Sequence, residues 1–285
     1  MRRRLAIALT LWAAMAPAET ARHLQTLQWR MENEPNFGGI SGFDYFDDGS
    51  RFLAVTDRGY WLPGSVIRYA GRIVRIETSE LKPLRDGQGN LSRDSDSEGV
   101  ALHVSGAAYI SMEGLRRIRR YLDMSRGTNL PQDPRFRTYD GNAAFEALAV
   151  DNDGVIYTLP ERSGGLGFDF PIYRFTNGTW DVFGHVPRKA GFLPVGADFG
   201  PDGRFYLLER AFNGFGFRSH VRRFAFTDDG PGVGETLLTT PFGRHGNLEA
   251  IAISETDDGL RATLLADDNF MPFQRSEIVE YFLAK

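Results

Sequence analysis

Three glutamates stand where an inner β-strand has no ordinary use for one. Glu98 opens "EGVALHV", Glu146 opens "EALAV" and Glu249 opens "EAIAI", each followed at once by small and apolar residues. A lone ionised carboxylate in a dry core is costly unless it is paired, solvated or metal-bound. A second set of acids closes apolar stretches: Asp57 in "AVTDR", Glu113 in "ISMEG", Glu161 in "TLPER", Glu209 in "LLERA", and Asp267 with Asp268 in "LLADDN". With Asp198 in "GADFG" the set has ten members, and only Arg58, Arg162 and Arg210 directly follow one of them. Like carboxylates brought within a few ångströms either hold protons or need a cation. Their hard oxygens, in a chain with no cysteine, favour Ca2+, with Mg2+ or Mn2+ behind it. The alternative is structural: acid–arginine dipeptides that tie neighbouring units together.

The chemistry open to such a set is metal-assisted hydrolysis. A bound cation polarises a phosphoryl or acyl oxygen and helps ionise a water. Glu146 or Glu98 then serves as general base, and Arg58, Arg162 and Arg210 grip an anionic substrate. The expected metal ligands are Glu98, Glu146, Glu161, Glu209, Glu249, Asp267 and Asp268. Other hydrolytic machinery is poorly supported. Ser41 in "GISGF" lacks the G-x-S-x-G spacing of a nucleophile elbow. His23, His103, His185 and His220 have no characteristic neighbourhood, and their spacing does not suit zinc. His245 is the exception to watch, because it lies just before Glu249.

The elements that must position these acids recur along the chain. Hairpins with turns rich in Asp and Gly appear as "SGFDYFDDGSRFLAVTDR", "EGVALHVSGAAYISMEG", "EALAVDNDGVIYTLPER", "VGADFGPDGRFYLLER" and "EAIAISETDDGLRATLLADDN". Their first strands start near Ser41, Glu98, Glu146, Val195 and Glu249, so the spacing is that of four-stranded propeller blades. An all-β propeller of five blades is expected, with six as the fallback. After the fifth hairpin only "EIVEYFLAK" remains, so "LQTLQWRM" near the N-terminus is expected to supply the missing strand and close the ring. In each antiparallel hairpin the first strand's start and the second strand's end share one end. With the first strands innermost, the acids converge on one rim of a central channel. Val195 and Ser41 take the glutamate position in two units, so the ring of acids is incomplete.

Composition agrees with this picture. The chain has 285 residues with 32 glycines and 22 phenylalanines, which suits a large turn-rich β-domain. "MRRRLAIALTLWAAMAPA" has the basic, apolar and small-residue regions of a signal peptide. Residues 1–18 are therefore expected to be removed, leaving a propeller domain over 19–285 in the periplasm or outside the cell. Loss of Arg2, Arg3 and Arg4 takes the formal net charge from −4 to −7, a field that repels nucleic acid. No later run is long enough to span a bilayer, and no heptad pattern calls for a partner, so a monomer is expected.

The stretches "GGISGFDY", "FLAVTDRG", "DSEGVAL", "FEALAV", "YTLPER", "FYLLER", "NLEAIAI" and "LLADDNF" also resemble, in the same order, the bacterial phytase-like family, whose domain is described as having esterase-like activity of phytase. The resemblance covers residues 38–270. It implies a β-propeller, export, a divalent metal and hydrolysis of phosphate or carboxylate esters. Gly114 after Glu113, where other acids are followed by arginine, departs from the pattern and leaves the rim asymmetric. Two other readings stay open. One is a non-catalytic propeller that binds a sugar, lipid or protein through "RSGGLGFDFP" and "RAFNGFGFRSH"; the other is lactone hydrolysis or sugar oxidation.

Overall fold

Period-two alternation in the strand Arg51–Thr56 already shows how the molecule is built. Phe52 and Ala54 pack toward the last repeat, with Ala250, Ala252 and Leu265. Leu53 and Val55 point the other way, onto Val100, Ile110 and Met112 of the next repeat. Successive side chains of a strand face opposite sides of its sheet, so a sheet apolar on both faces must be sandwiched between two others. The computed structural model describes residues 20–46, 49–92, 96–139, 145–165, 167–189, 191–257 and 259–284. The expected signal peptide, residues 1–18, lies outside them.

Five antiparallel four-stranded sheets follow in chain order. The first blade comprises Ile40–Tyr45, Arg51–Thr56, Tyr60–Tyr69 and Arg72–Thr78, with Lys82–Pro83 pairing back onto its third strand. The second comprises Ser97–Leu102, Ala108–Met112, Arg117–Tyr121 and Gly127–Asn129; the third, Ala147–Val150, Ile156–Leu159, Phe170–Thr176 and Thr179–Val186. The fourth comprises Leu193–Phe199, Phe205–Phe212, Phe217–Phe224 and Glu235–Thr239. The fifth takes Asn247–Thr256, Gly259–Asp267 and Glu277–Leu283 from the end of the chain and Ala21–Gln28 from its start. Each first strand touches the first strand of the next blade, and the fifth touches the first, so these strands line the axis of a closed ring. The fold is thus a five-bladed β-propeller. Five apolar layers, one at each blade junction, make its core.

The closing strand begins at Ala21 rather than Leu24 and stops at Gln28, where Trp29 turns inward to pack on Phe37 and Phe52. It is held antiparallel to Glu277–Leu283, and its His23 ring stacks on His245, centroids 5.8 Å apart. His245 is buried and shares a 2.7 Å hydrogen bond with the Tyr281 hydroxyl. It therefore takes no part among the acids. Burial, reinforced by His23 and Arg244, pushes the His245 pKa down to about 4. The unfolded chain then takes up a proton between pH 6.5 and about 4 that the folded chain refuses, so this residue lowers stability as pH falls through that window. A His245→Gln variant is expected to show a melting temperature that declines less steeply from pH 7 to pH 4.5 than the parent's. Parallel curves would refute this.

The inner strands share a second feature. Pairing slips between Ile40 and Gly42, Ser97 and Val100, Pro194 and Gly196, and Leu248 and Ala250. A bulge of this kind leaves one residue outside the ladder and re-aims its side chain. The skipped positions hold Ser41, Glu98, Val195 and Glu249, the same positions aligned by the repeat. The following residue is always small: Gly42, Gly99, Ala147, Gly196 and Ala250. A Cβ at Gly196 would lie 2.5 Å from the Glu249 carbonyl oxygen, and one at Gly99 2.8 Å from that of Glu146. Inner strands therefore approach backbone to backbone. Gly196→Ala is expected to cost ~1–3 kcal/mol through overpacking, read as a lower urea midpoint with unchanged slope.

Candidate metal and substrate site

The bulges and strand ends deliver the acids to one end of the axis. Glu98 and Glu249 sit on their bulges, and Glu146 immediately precedes the paired strand Ala147–Val150. Glu146 is launched from Phe145, a fully buried aromatic at φ 61° wedged against Phe136 and Tyr173. A bulky residue at positive φ is a strained outlier that only its surroundings hold in place. Asp96, two residues before Glu98, has φ 38°.

Beneath the rim the axis is nearly filled. The cavity between the inner strands measures about 10 Å³ and is lined by Ser41, Gly42, Gly99, Val195 and Gly196, with Glu146 and Glu249 at its edge. That is room for one water at most. The expected central channel is accordingly a shallow acidic mouth over a packed axis. The close approach at the small residues is the reason.

Within this mouth the acids divide into two groups. Asp96, Glu98 and Glu113 each offer a carboxylate oxygen within 4.8 Å of the others. Burial drives the Glu98 carboxyl well above its ordinary pKa, reinforced by Glu146, Glu249, Glu113 and Asp96. Among the described residues no hydrogen bond holds the Glu98 or Glu146 carboxylate. Glu146 is likewise pushed up by burial and by Glu161, against an opposing pull from Arg210. Asp267 rises to about 9 through burial and then Glu249. Asp57 rises to about 6 through burial, offset in part by Arg58 and raised further by Asp96 and Glu249. Its Oδ1 atom is buried with no hydrogen-bond partner.

The second group is neutralised by one guanidinium. Arg210 bonds Glu249, the Asn247 side-chain oxygen at 2.6 Å and Glu161 at 3.0 Å. Asn247 in turn donates to Glu249 at 2.7 Å. Arg162 touches the other Glu161 oxygen at 3.4 Å but is otherwise exposed to solvent. Beside this network opens a cleft of about 490 Å³, walled by Leu193, Phe212, Phe217 and Met271 with Arg162 at its edge. The glycine-rich segment around Phe212 and Phe217 thus contributes to the site.

Three expected site residues lie elsewhere or are otherwise engaged. Glu209 is fully buried in a forked ion pair with Arg222, at 2.7 and 2.5 Å, and is 3.2 Å from His220. Alternation along Phe205–Phe212 gives the mouth to Arg210 and turns Glu209 away. Asp268 accepts from the Gly39 and Phe270 amides and the Ser276 hydroxyl, so it clamps a loop. Arg58 lies flat over the Phe270 ring, 3.2 Å from its centroid. Asp198 accepts from the Ile253 amide at 2.6 Å and lies near Asp44, which accepts from Leu102; both acids join inner strands below the mouth. Asp96 was not anticipated. Strand spacing does not give it away, because Asp96 precedes the strand Ser97–Leu102 at φ 38° and Glu98 sits on the bulge.

Fold and mouth together define a five-bladed β-propeller with a carboxylate cluster at one end of its axis. The chain belongs to the phytase-like family, described as esterase-like activity of phytase, whose sequence profile matches residues 35–270. No curated protein matches the sequence. Among solved structures, a gluconolactonase from Xanthomonas campestris is similar at 14% identity, covering 87% of this chain and 86% of its own, with a TM-score of 0.50. That likeness supports the propeller fold. A virginiamycin B lyase from Staphylococcus aureus aligns at 13% identity, TM-score 0.46, over 93% of this chain and all of its own (100%). A glucose dehydrogenase aligns at 14% identity, TM-score 0.48, over the same shares, 93% and 100%.

Proposed function

We propose that the protein is an exported, divalent-cation-dependent hydrolase of phosphate or carboxylate esters, acting at the acidic mouth. The observation that carries this reading is the convergence of Asp96, Glu98 and Glu113 within 4.8 Å beside Glu146. Oxygen ligands on opposite sides of a Ca2+ ion lie roughly 5 Å apart at most, so these donors fit the ion in number, hardness and spacing. The buried, unpartnered Asp57 Oδ1 is a further donor facing the same acids. Ca2+ is the first choice, with Mg2+ or Mn2+ as alternatives.

Asp96, Glu98 and Glu113 would hold the cation, with the unpartnered Asp57 oxygen nearby. When bound, the cation supplies Lewis-acid polarisation of the ester oxygen and acidifies a water. Glu146, ionised once a cation's charge offsets its burial, would accept the proton of the attacking water. Arg162 binds an anionic group of the substrate, and Arg210 holds Glu249 and Glu161 in register. The phenylalanine-walled cleft receives the rest of the molecule. That cleft also supports a second reading, a propeller that binds its ligand without turnover.

A panel of phosphate and carboxylate esters, assayed with Ca2+, after exhaustive chelation and after readdition, separates the two. Turnover that vanishes on chelation and returns with the cation is expected. Glu146→Gln should lose about 10²–10⁴-fold in kcat while retaining bound Ca2+. Turnover that survives chelation, or saturable binding without turnover, would overturn the proposal. Export is tested by sequencing the mature protein's N-terminus, which is expected to begin at Glu19.

A further inference from the structure

Among the described residues, every exposed phenylalanine except Phe46 lies at one end of the molecule. Phe168, Phe212, Phe215, Phe242, Met271 and Phe273 are all exposed, Phe215 completely and Phe273 by 79%. Each lies in a loop leaving a strand at the acid end of the third, fourth or fifth blade. The loops form one surface. Phe212, Phe217 and Met271 share the cleft with Arg162 and Gly191. The Gly243 amide donates to the Phe217 carbonyl, and Arg188 reaches the Phe168 carbonyl. A contiguous exposed apolar surface of this kind marks an interaction site.

The charge around it has one sign. Arg162, Lys189, Arg244 and Arg275 are exposed in the same loops, whereas Asp169 is their one exposed acid among the described residues. Half-buried Arg188 and Arg218 lie near the rings of Phe170 and Phe242. At the opposite end the turns of these blades carry exposed Asp153, Asp202, Asp228, Asp229 and Asp257. The outer loops of these three blades are therefore a locally basic border beside the acidic mouth, and at close range this border is attracted to an anionic plane.

We propose that this basic, phenylalanine-studded crescent docks the protein on an anionic lipid surface. Phe215 and Phe273 enter the headgroup layer, and Arg244, Arg275 and Lys189 meet lipid phosphates, the combination by which peripheral proteins bind membranes. The acidic mouth then opens toward the lipid. The proposal stands whether or not the mouth is hydrolytic.

Co-sedimentation with phosphatidylglycerol-containing and with pure phosphatidylcholine vesicles, in EDTA throughout, tests it. Binding to the anionic vesicles that weakens with salt is expected. The double variant Phe215→Ser, Phe273→Ser should reduce the partition coefficient at least tenfold with an unchanged melting temperature. Arg244→Gln and Arg275→Gln should each reduce it about fivefold. Tyr69→Ser, exposed at the far end, should bind like the parent. Equal binding to both vesicle types, no binding without a divalent cation, an unaffected phenylalanine variant, or self-association through these phenylalanines in place of vesicle binding would each overturn it.

Discussion

Saturating Ca2+ is expected to raise the melting temperature of the EDTA-treated protein at pH 8, with a stabilisation of about 4 kcal/mol at a thousandfold excess over Kd. Its pH dependence follows from what the cation displaces. The folded chain brings Glu98, Glu146, Asp57 and Asp267 to one mouth, and each carboxyl is pushed above its ordinary pKa. A carboxyl whose folded pKa is raised stabilises the fold below the unfolded value and loses that contribution as pH rises through the folded one. For Asp57 the loss runs from the ordinary value 3.8 to about 6 and for Asp267 from 3.8 to about 9. In these groups the cation-free protein therefore becomes less stable from about pH 4 to pH 9, and the gain from Ca2+ should grow across the same window. Identical melting curves in EDTA and in Ca2+ at pH 8 would show that protons and arginines alone balance the mouth.

Replacing Arg210 with methionine should destabilise the protein by roughly 3–5 kcal/mol, the cost of removing one partner from a buried ion pair. Arg210 is the shared partner of Glu161, just past the second strand of the third blade, and of Asn247 and Glu249 on the first strand of the fifth. Its loss leaves two carboxylates facing each other across a blade junction. Arg210→Lys should recover only part of the stability, because an ammonium cannot span both acids as a planar guanidinium does. Added Ca2+ should rescue the methionine variant by a larger increment than it gives the parent, since the freed carboxylates become ligands. A urea midpoint close to the parent's, without rescue, would mean that the bridge contributes little.

The fold was readable because a propeller repeats its turns. Asp/Gly pairs at similar spacing announce hairpins regardless of what the strands contain, and after Glu277–Leu283 the fifth blade still needs a fourth strand, which only the segment near the N-terminus offers. The acids on the inner strands were readable for a related reason, since an ionisable residue opening an apolar run has few places to go. What could not be read was direction. A bulge is not a composition, so nothing in "NLEAIAI" says that Glu249 leaves the ladder while Leu248 and Ala250 remain in it. The same ambiguity misplaced Glu209: "ER" looks alike in "TLPER" and "LLERA", yet a one-residue change of parity exchanges which member faces the mouth. The narrowness of the axis was present in the sequence as a small residue after every aligned position, but a glycine announces close approach only once its neighbour is known. The engagements of Asp268 with loop amides and of Arg58 with an aromatic ring are not legible in the sequence, because those partners are assembled only in three dimensions.

The ring's clasp has a consequence for how the molecule comes into being. Ala21 is paired with Leu283, and Gln28 with Glu277, so the strand Ala21–Gln28 waits for Glu277–Leu283 before it has a neighbour in its sheet. Four blades are complete within contiguous stretches of chain, but the fifth stays open until Glu277–Leu283 has been made. Contacts this distant in sequence are slow to close. The circle therefore locks in a single late step, once both of the strands that form its clasp are present.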